Sequence, residues 1–323
     1  VPSDPSPGTD TAPAGPSAGR LSQSAARARF RDWLNRPLPV LQLELLRIGG
    51  PPFILGFMSD RLANAAEWIG REGFRVRDFG GDWRSNYFIR GLPHGAAWSV
   101  AGVMIASAIA TSLGLWTRGS ALVFATTLVF VGLSDHVSSF TVTKIGPVLM
   151  FVVAVAPAGR RLGIDAWRRQ NETGKRPKRV RPLPSVRFLQ LFLAVFYCAS
   201  GIAKAKGDWL KLPFVMWSHL HDSYQTELTF LLARDLPTWA WPVLQGTVLI
   251  FEVFAPLWFA LPQTRNLAVV FAVGMHVGIG VMFGPVVWFA LLMITVVLAA
   301  YLPAPLVAPL ESFAARFEQR PNR

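Results

Sequence analysis

An all-α, polytopic membrane bundle of about eight transmembrane helices, with both termini cytoplasmic, is the fold class this sequence predicts. Three observations carry it. Hydrophobic residues make up 52% of the 323 residues and charged residues only 16%, against roughly 25% charged in ordinary soluble domains. The apolar residues lie in blocks about as long as a bilayer is thick, at roughly 20 residues per span. Lysine and arginine collect in short segments that all fall on one side when the chain is threaded through those blocks.

The spans are expected at about 38–58, 96–116, 119–139, 143–158, 187–204, 240–260, 266–284 and 285–303. In the first, Glu44 and Arg47 stand three apart on one helix face, where pairing would lower the insertion cost of both. The second and third are joined by a turn carrying Arg118, and the fourth is short, starting near Lys144. The fifth ends in Lys204. The sixth starts near Trp241 and places Glu252 eleven residues deeper, about 16 Å along a helix. The seventh holds His276 within 274-GMHVGIG-280, and a tight Phe283-Gly284-Pro285 turn leads into the eighth.

Charge sets the orientation. Arg20, Arg27, Arg29, Arg31 and Arg36 precede the first span. Arg160, Arg161, Arg168, Arg169, Lys175, Arg176, Lys178, Arg179 and Arg181 fill a basic loop over 159–187. Arg265 lies between the sixth and seventh spans, and Arg316, Arg320 and Arg323 follow the last. These segments are expected at the cytoplasmic face of a multi-pass cell-membrane protein, drawn to anionic headgroups. Outer loops 60–95 and 205–239 are nearly charge balanced and rich in tryptophan, which suits interfacial helices. Residues 1–20, dominated by Pro, Ser, Gly and Ala, are expected to be disordered. The membrane domain then runs over 21–303, and 304–323 form a short cytoplasmic tail.

The net charge of +13 lacks the aromatic-interleaved basic surface that nucleic acid requires, so no nucleic-acid partner is expected. A lone Cys198 excludes an intramolecular disulfide and a cysteine-rich metal site, and no metal centre is expected. Intramembrane ionisable groups carry the functional signal. Lys204 either snorkels to the headgroups or, crowded by apolar surroundings, gives up its proton readily enough to act as a base. In 134-SDHVSSFTVTK-144, Asp135 and His136 either mark a polar helix exit or orient a substrate oxygen near Lys204. Glu252 must be protonated or paired at its depth, and His276 either makes a structural hydrogen bond or serves a site.

The stretch 197-YCASGIAKAKGDWL-210 and the pair 135-DH-136 resemble two motifs of the bacterial HTTM proteins. That membrane-domain family includes the vitamin K-dependent gamma-glutamyl carboxylases. The resemblance covers about 38–303. It places Tyr197, Gly201, Ile202, Ala203, Asp208 and Trp209 on the carboxylase stretch around the catalytic lysine, with Lys204 at the base position. His136 carries over to the histidine of an Asn-His pair. Asp135 departs from that pattern, turning a donor into an acceptor. Glu252 and His276 look like the polar members of two late family helices.

What the resemblance implies is quinone chemistry near the exoplasmic face. Lys204 would take a proton from reduced menaquinone or another vitamin K-like quinone, with His136 stabilising oxygen-centred charge. Reaction with O2 would then yield a base strong enough to take a glutamate proton, and the carbanion would capture CO2. Asp135, Tyr197, Trp209, Glu252 and His276 would line the quinone or substrate site. A secreted peptide substrate would be held by 60–95 and 205–239 or by an accessory protein. Two other readings stand beside this one: a non-enzymatic maturation or export factor for a secreted peptide, and a small-solute transporter using Glu252 and His276.

Overall fold

A computed structural model describes residues 18–73, 91–134, 141–175, 177–221 and 225–318, with backbone alone for 18–26. The first half comprises α1 (Ala18–Asn35), β1 (Pro37–Pro39), α2 (Leu41–Ala63), α3 (Ala65–Trp68), α4 (His94–Leu113), α5 (Thr117–Ser134), α6 (Thr141–Val155) and α7 (Ile164–Thr173). The second comprises β2 (Val180–Pro182), α8 (Pro184–Lys206), α9 (Val215–His219), α10 (Glu227–Asp235), α11 (Ala240–Val253), α12 (Ala255–Ala260), α13 (Pro262–Met282), α14 (Val287–Ala300) and α15 (Ala304–Glu318).

Helix dominates as expected, but the spans differ in detail. Among the described residues four helices are long and apolar enough to cross a membrane: α4, α5, α8 and α13. A fifth is counted if α14, with the 3-10 turn before it, and α15 are taken as one span bent by 100°. The expected first span is a 23-residue helix, yet it carries Glu44, Arg47, Asp60 and Arg61. The expected fourth span is a 15-residue helix, and the expected sixth is broken at Phe254 into helices of 14 and 6 residues. That break has a covalent cause. Pro256 has no N–H to give the carbonyl of Glu252, so the ladder stops there.

The all-helical expectation also missed a small sheet. β1 and β2 pair antiparallel, with Leu38 opposite Arg181, and so tie the entry of α2 to the basic loop. The segment expected on the outer side contains two short helices among its described residues, α9 and α10. The segment expected as a short tail is helical over Ala304–Glu318, and the helix α1 begins at Ala18, inside the stretch expected to be disordered.

Helix α2 sits at the centre, packed on α4, α6 and α14. Its two consecutive prolines, Pro51 and Pro52, would orphan carbonyls inside the bundle. Ser112 Oγ of α4, 3.4 Å from the Ile48 carbonyl, supplies the donor that Pro52 lacks. Glycine lets α14 close in on α2, where a Cβ on Gly56 would come within 2.5 Å of the Trp288 ring. The outward faces stay apolar: Leu267 is 70% exposed and Val195 65%. Water would penalise such a surface, whereas lipid tails match it.

Polar bonds sew one end of the bundle together. Fully buried Arg47 donates from Nε to Glu44 Oε2 (2.8 Å) and from its terminal nitrogens to the carbonyls of Thr111 (3.1 Å), Ser112 and Leu162 (3.1 Å). It thereby caps the end of α4 and satisfies the predicted Glu44–Arg47 pair. Glu44 Oε1 accepts from the Arg161 backbone at 3.1 Å. The Arg161 side chain, fully buried, grips Glu311 through two bonds of 2.6 Å and Glu318 through a third, docking α15. Burial works against the Arg161 cation, but these two carboxylates prevail and hold its pKa above the ordinary range.

Candidate functional site

The opposite end of the bundle gathers the polar groups that the basic end leaves unused. Helix α8 starts with Pro184 at its first position and stops at Gly207, whose N–H bonds back to Ala203 and Lys204. Tyr197, Gly201 and Lys204 follow at spacings of four and three, so they share one face. That face meets α11. A Cβ on Gly201 would lie 2.6 Å from the Val253 nitrogen and 2.9 Å from the Glu252 Cβ. Only hydrogen fits there, so the two backbones approach closely at that level.

The close approach brings Lys204 onto Glu252. The ammonium lies 2.5 Å from each carboxylate oxygen and 3.3 Å from Ser200 Oγ. The Glu252 side chain is 5% exposed and that of Lys204 27%. The carboxylate is therefore enclosed while the amine keeps one open side. Over that amine lies the Trp209 ring, 5.1 Å from its centroid to Nζ, near enough for cation–π attraction. Gln245 on α11 fixes the loop that carries Trp209. It donates to the carbonyls of Trp209 (2.6 Å) and Leu212 (2.8 Å) and accepts from the Met216 N–H (3.1 Å).

A second polar pair lies deeper. Tyr197 hydroxyl and His276 Nε2 are 2.8 Å apart, both residues buried. Phe251, Phe259 and Phe289 surround them, with ring centroids 5.6 to 6.1 Å away. His276 Nδ1 is buried with no hydrogen-bond partner among the described residues. Beyond Phe251 a cavity of about 180 Å³ opens between α11, α12 and α13, lined by Ile250, Phe251, Trp258, Leu267 and Phe271 among others. Its walls are almost wholly apolar.

The sequence grouped Tyr197, Lys204 and Trp209 on one stretch and left their contacts with Glu252 and His276 unassigned; the structure pairs Lys204 with Glu252 and Tyr197 with His276. Trp209 joins the first pair through its ring. Asp135 and His136 lie outside the described residues. Sequence reading missed Gln245, although a glutamine seven residues before Glu252 on an apolar helix marks the same face. It also missed Phe251, which touches both the Tyr197 ring and the cavity.

No curated protein and no solved structure matches this chain. The family model of the HTTM domain does match, over residues 83–302, which takes in α4 through α14 and every residue of the two polar pairs. A match over more than half its length, on a helical chain with several apolar membrane-length helices, establishes that the protein belongs to the HTTM domain family.

Proposed function

We propose that this protein is a quinol-linked enzyme of the cell membrane, in which Lys204 and Glu252 accept a proton as one unit. The observation that carries this reading is the two-oxygen clasp of the Lys204 ammonium, 2.5 Å from both Glu252 oxygens, with the amine partly open and the carboxylate enclosed. In a medium of low polarity such a pair can neutralise itself by passing the lysine proton to the carboxylate. Lys204 then holds a free amine on its open side. When it takes a proton from a hydroxyl group, the ammonium is restored beside the new anion and Glu252 remains a neutral acid behind it.

The donor set suits a reduced quinone. A proton acceptor at an apolar edge matches its hydroxyl, and the cavity behind Phe251 matches its apolar chain. Lys204, Glu252 and Trp209 would hold the ring, with Ile250 and Leu267 against the chain. Bound there, a reduced quinone would supply the electrons that reduce O2. Tyr197 and His276 would keep the pocket wall rigid and water-poor. Peptide glutamate carboxylation with CO2 is the second half of the reading, supported by the resemblance of 197-YCASGIAKAKGDWL-210 to the carboxylase stretch. Threading all eight apolar stretches through the bilayer would put both termini and the basic end in the cytoplasm and Lys204 near the exoplasmic face.

One observation favours transport instead, namely the helix break at Phe254 beside a buried carboxylate, an arrangement seen in solute sites of carriers. The deciding experiment supplies reduced menaquinone, O2, labelled CO2 and a glutamate-rich peptide to the purified chain in lipid nanodiscs. Quinol oxidation is expected, falling by about a hundredfold or more in Lys204→Ala and in Lys204→Arg. The arginine variant keeps the charge and the pairing without a usable base. Oxidation unchanged in Lys204→Arg would overturn the base assignment, and label on the peptide would establish the carboxylation step.

A further inference from the structure

At the basic end, four arginines gather about one corner, and among the described residues none of them is engaged in an ion pair. The corner is built by close backbone contacts. A Cβ on Gly159 would lie 2.1 Å from Thr117 Oγ1, so the loop leaving α6 lies directly on the first turn of α5. The next residue of each segment is an arginine, Arg160 and Arg118, and the charge of Arg118 is felt at Arg160. Asp165 at the start of α7 accepts from the Thr117 N–H at 3.1 Å, and its own N–H bonds to the Gly114 carbonyl at 3.0 Å. Asp165 is thus occupied in fixing α7, which carries Arg169 to the same corner. Arg181 arrives on β2, held in register opposite Leu38.

Arg118, Arg160 and Arg169 are exposed, and no ion pair joins any of the four among the described residues. Burial and the charges of Arg181, Arg118 and Arg169 all push the Arg160 guanidinium below its ordinary range, as expected where like charges crowd together. Two tryptophans flank the cluster. Trp116 is 81% exposed and Trp167 59%. Trp116 also adopts φ 52°, the left-handed region, in the turn between α4 and α5. Holding a bulky residue there opposes its backbone preference.

Both helices flanking that turn are long and apolar enough to cross a membrane. Their junction therefore lies at the level of the lipid headgroups, where tryptophan partitions well. We propose that Arg118, Arg160, Arg169 and Arg181, flanked by Trp116 and Trp167, form a binding site for the phosphate of an anionic phospholipid. The guanidiniums supply the fork-shaped donors that phosphate oxygens accept, and the tryptophans seat the glycerol and upper chains. Charge complementarity and position at the bilayer edge select a lipid over a soluble anion. The site is independent of the quinone reading, since Lys204 lies at the other end of the bundle.

The test uses the full chain in detergent, with lipid retention read by native mass spectrometry. Phosphatidylglycerol and phosphatidylcholine of equal chain length serve as probes, and inorganic pyrophosphate as competitor. Phosphatidylglycerol should bind preferentially to one saturable site. Its affinity should fall about fivefold per arginine removed in an Arg118→Gln, Arg160→Gln, Arg169→Gln series. A control variant carrying Lys206→Gln, Lys211→Gln and Arg234→Gln loses the same charge elsewhere and should retain the site. Equal losses in both variants would reduce the effect to diffuse charge and overturn the proposal. Equal retention of the two lipids, or full displacement by pyrophosphate alone, would overturn it as well. Thermal unfolding of each variant separates lost binding from lost folding.

Discussion

Lys204 and Glu252 are 48 residues apart, and neither predicts the other by spacing. What the sequence does convey is that a carboxylate so deep in an apolar helix requires a partner. Lys204 was legible as a candidate base from its place at the end of an apolar helix, and the resemblance of the motif around it to a carboxylase stretch pointed the same way. Its partner was not, because pairing depends on how α8 and α11 cross. The pair sets a stability prediction. Lys204→Ala strands a buried carboxylate and should cost about 3–5 kcal/mol, read as a lower midpoint in thermal unfolding. The double variant Lys204→Met with Glu252→Leu should recover most of that stability while remaining inactive. A double variant no more stable than the single would remove the pair as the cause. Two turns deeper on α8, Tyr197→Phe leaves His276 Nε2 without the bond it makes at 2.8 Å. With Nδ1 already unpartnered among the described residues, the loss should be about 1–3 kcal/mol, measured by chemical denaturation in detergent.

Elements were easier to locate than to bound. Apolar blocks at 96–116, 119–139, 187–204 and 266–284 correspond to α4, α5, α8 and α13, because composition alone decides where a membrane-length helix forms. The stretch over 240–260 read as one span since its hydropathy is continuous, and the effect of Pro256 on the hydrogen-bond ladder is invisible to hydropathy. The strands β1 and β2 were illegible for a different reason. They pair across more than a hundred residues and hold three residues each. Gly201 gives the element-scale prediction. In Gly201→Val the new Cβ would meet main-chain atoms of α11 at 2.6 Å, and main chain cannot step aside as a side chain can. We expect about 1–3 kcal/mol of destabilisation together with loss of quinol oxidation as α8 and α11 separate. Gly246→Ala on α11, where nothing lies within 4 Å, should be neutral or slightly stabilising. Comparable defects in both variants would argue against close helix approach as the determinant.

Across the whole molecule, the two ends are built by opposite rules. The basic end satisfies most of its buried charge internally, through Arg47, Glu44, Arg161, Glu311 and Glu318. At the other end the amine of the Lys204–Glu252 pair stays partly open. This division follows from folding and could be read only coarsely from the distribution of lysine and arginine. Arg161→Ala should release α15, because Arg179 reaches Glu311 and Glu318 at only 3.9 and 3.7 Å from an exposed position. The expected readout is faster deuterium uptake over 304–318 with little change in α4 or α5. Uniform acceleration throughout the bundle would mean that Arg161 supports the entire fold instead. The interruption at Phe254 has its own implication. It divides one rod into two short arms that meet beside the Glu252 carboxylate. Because α11 carries Glu252 and is seated on Gly201 while α12 packs on α8 and α13, the second arm can follow its own neighbours without dragging the carboxylate off Lys204.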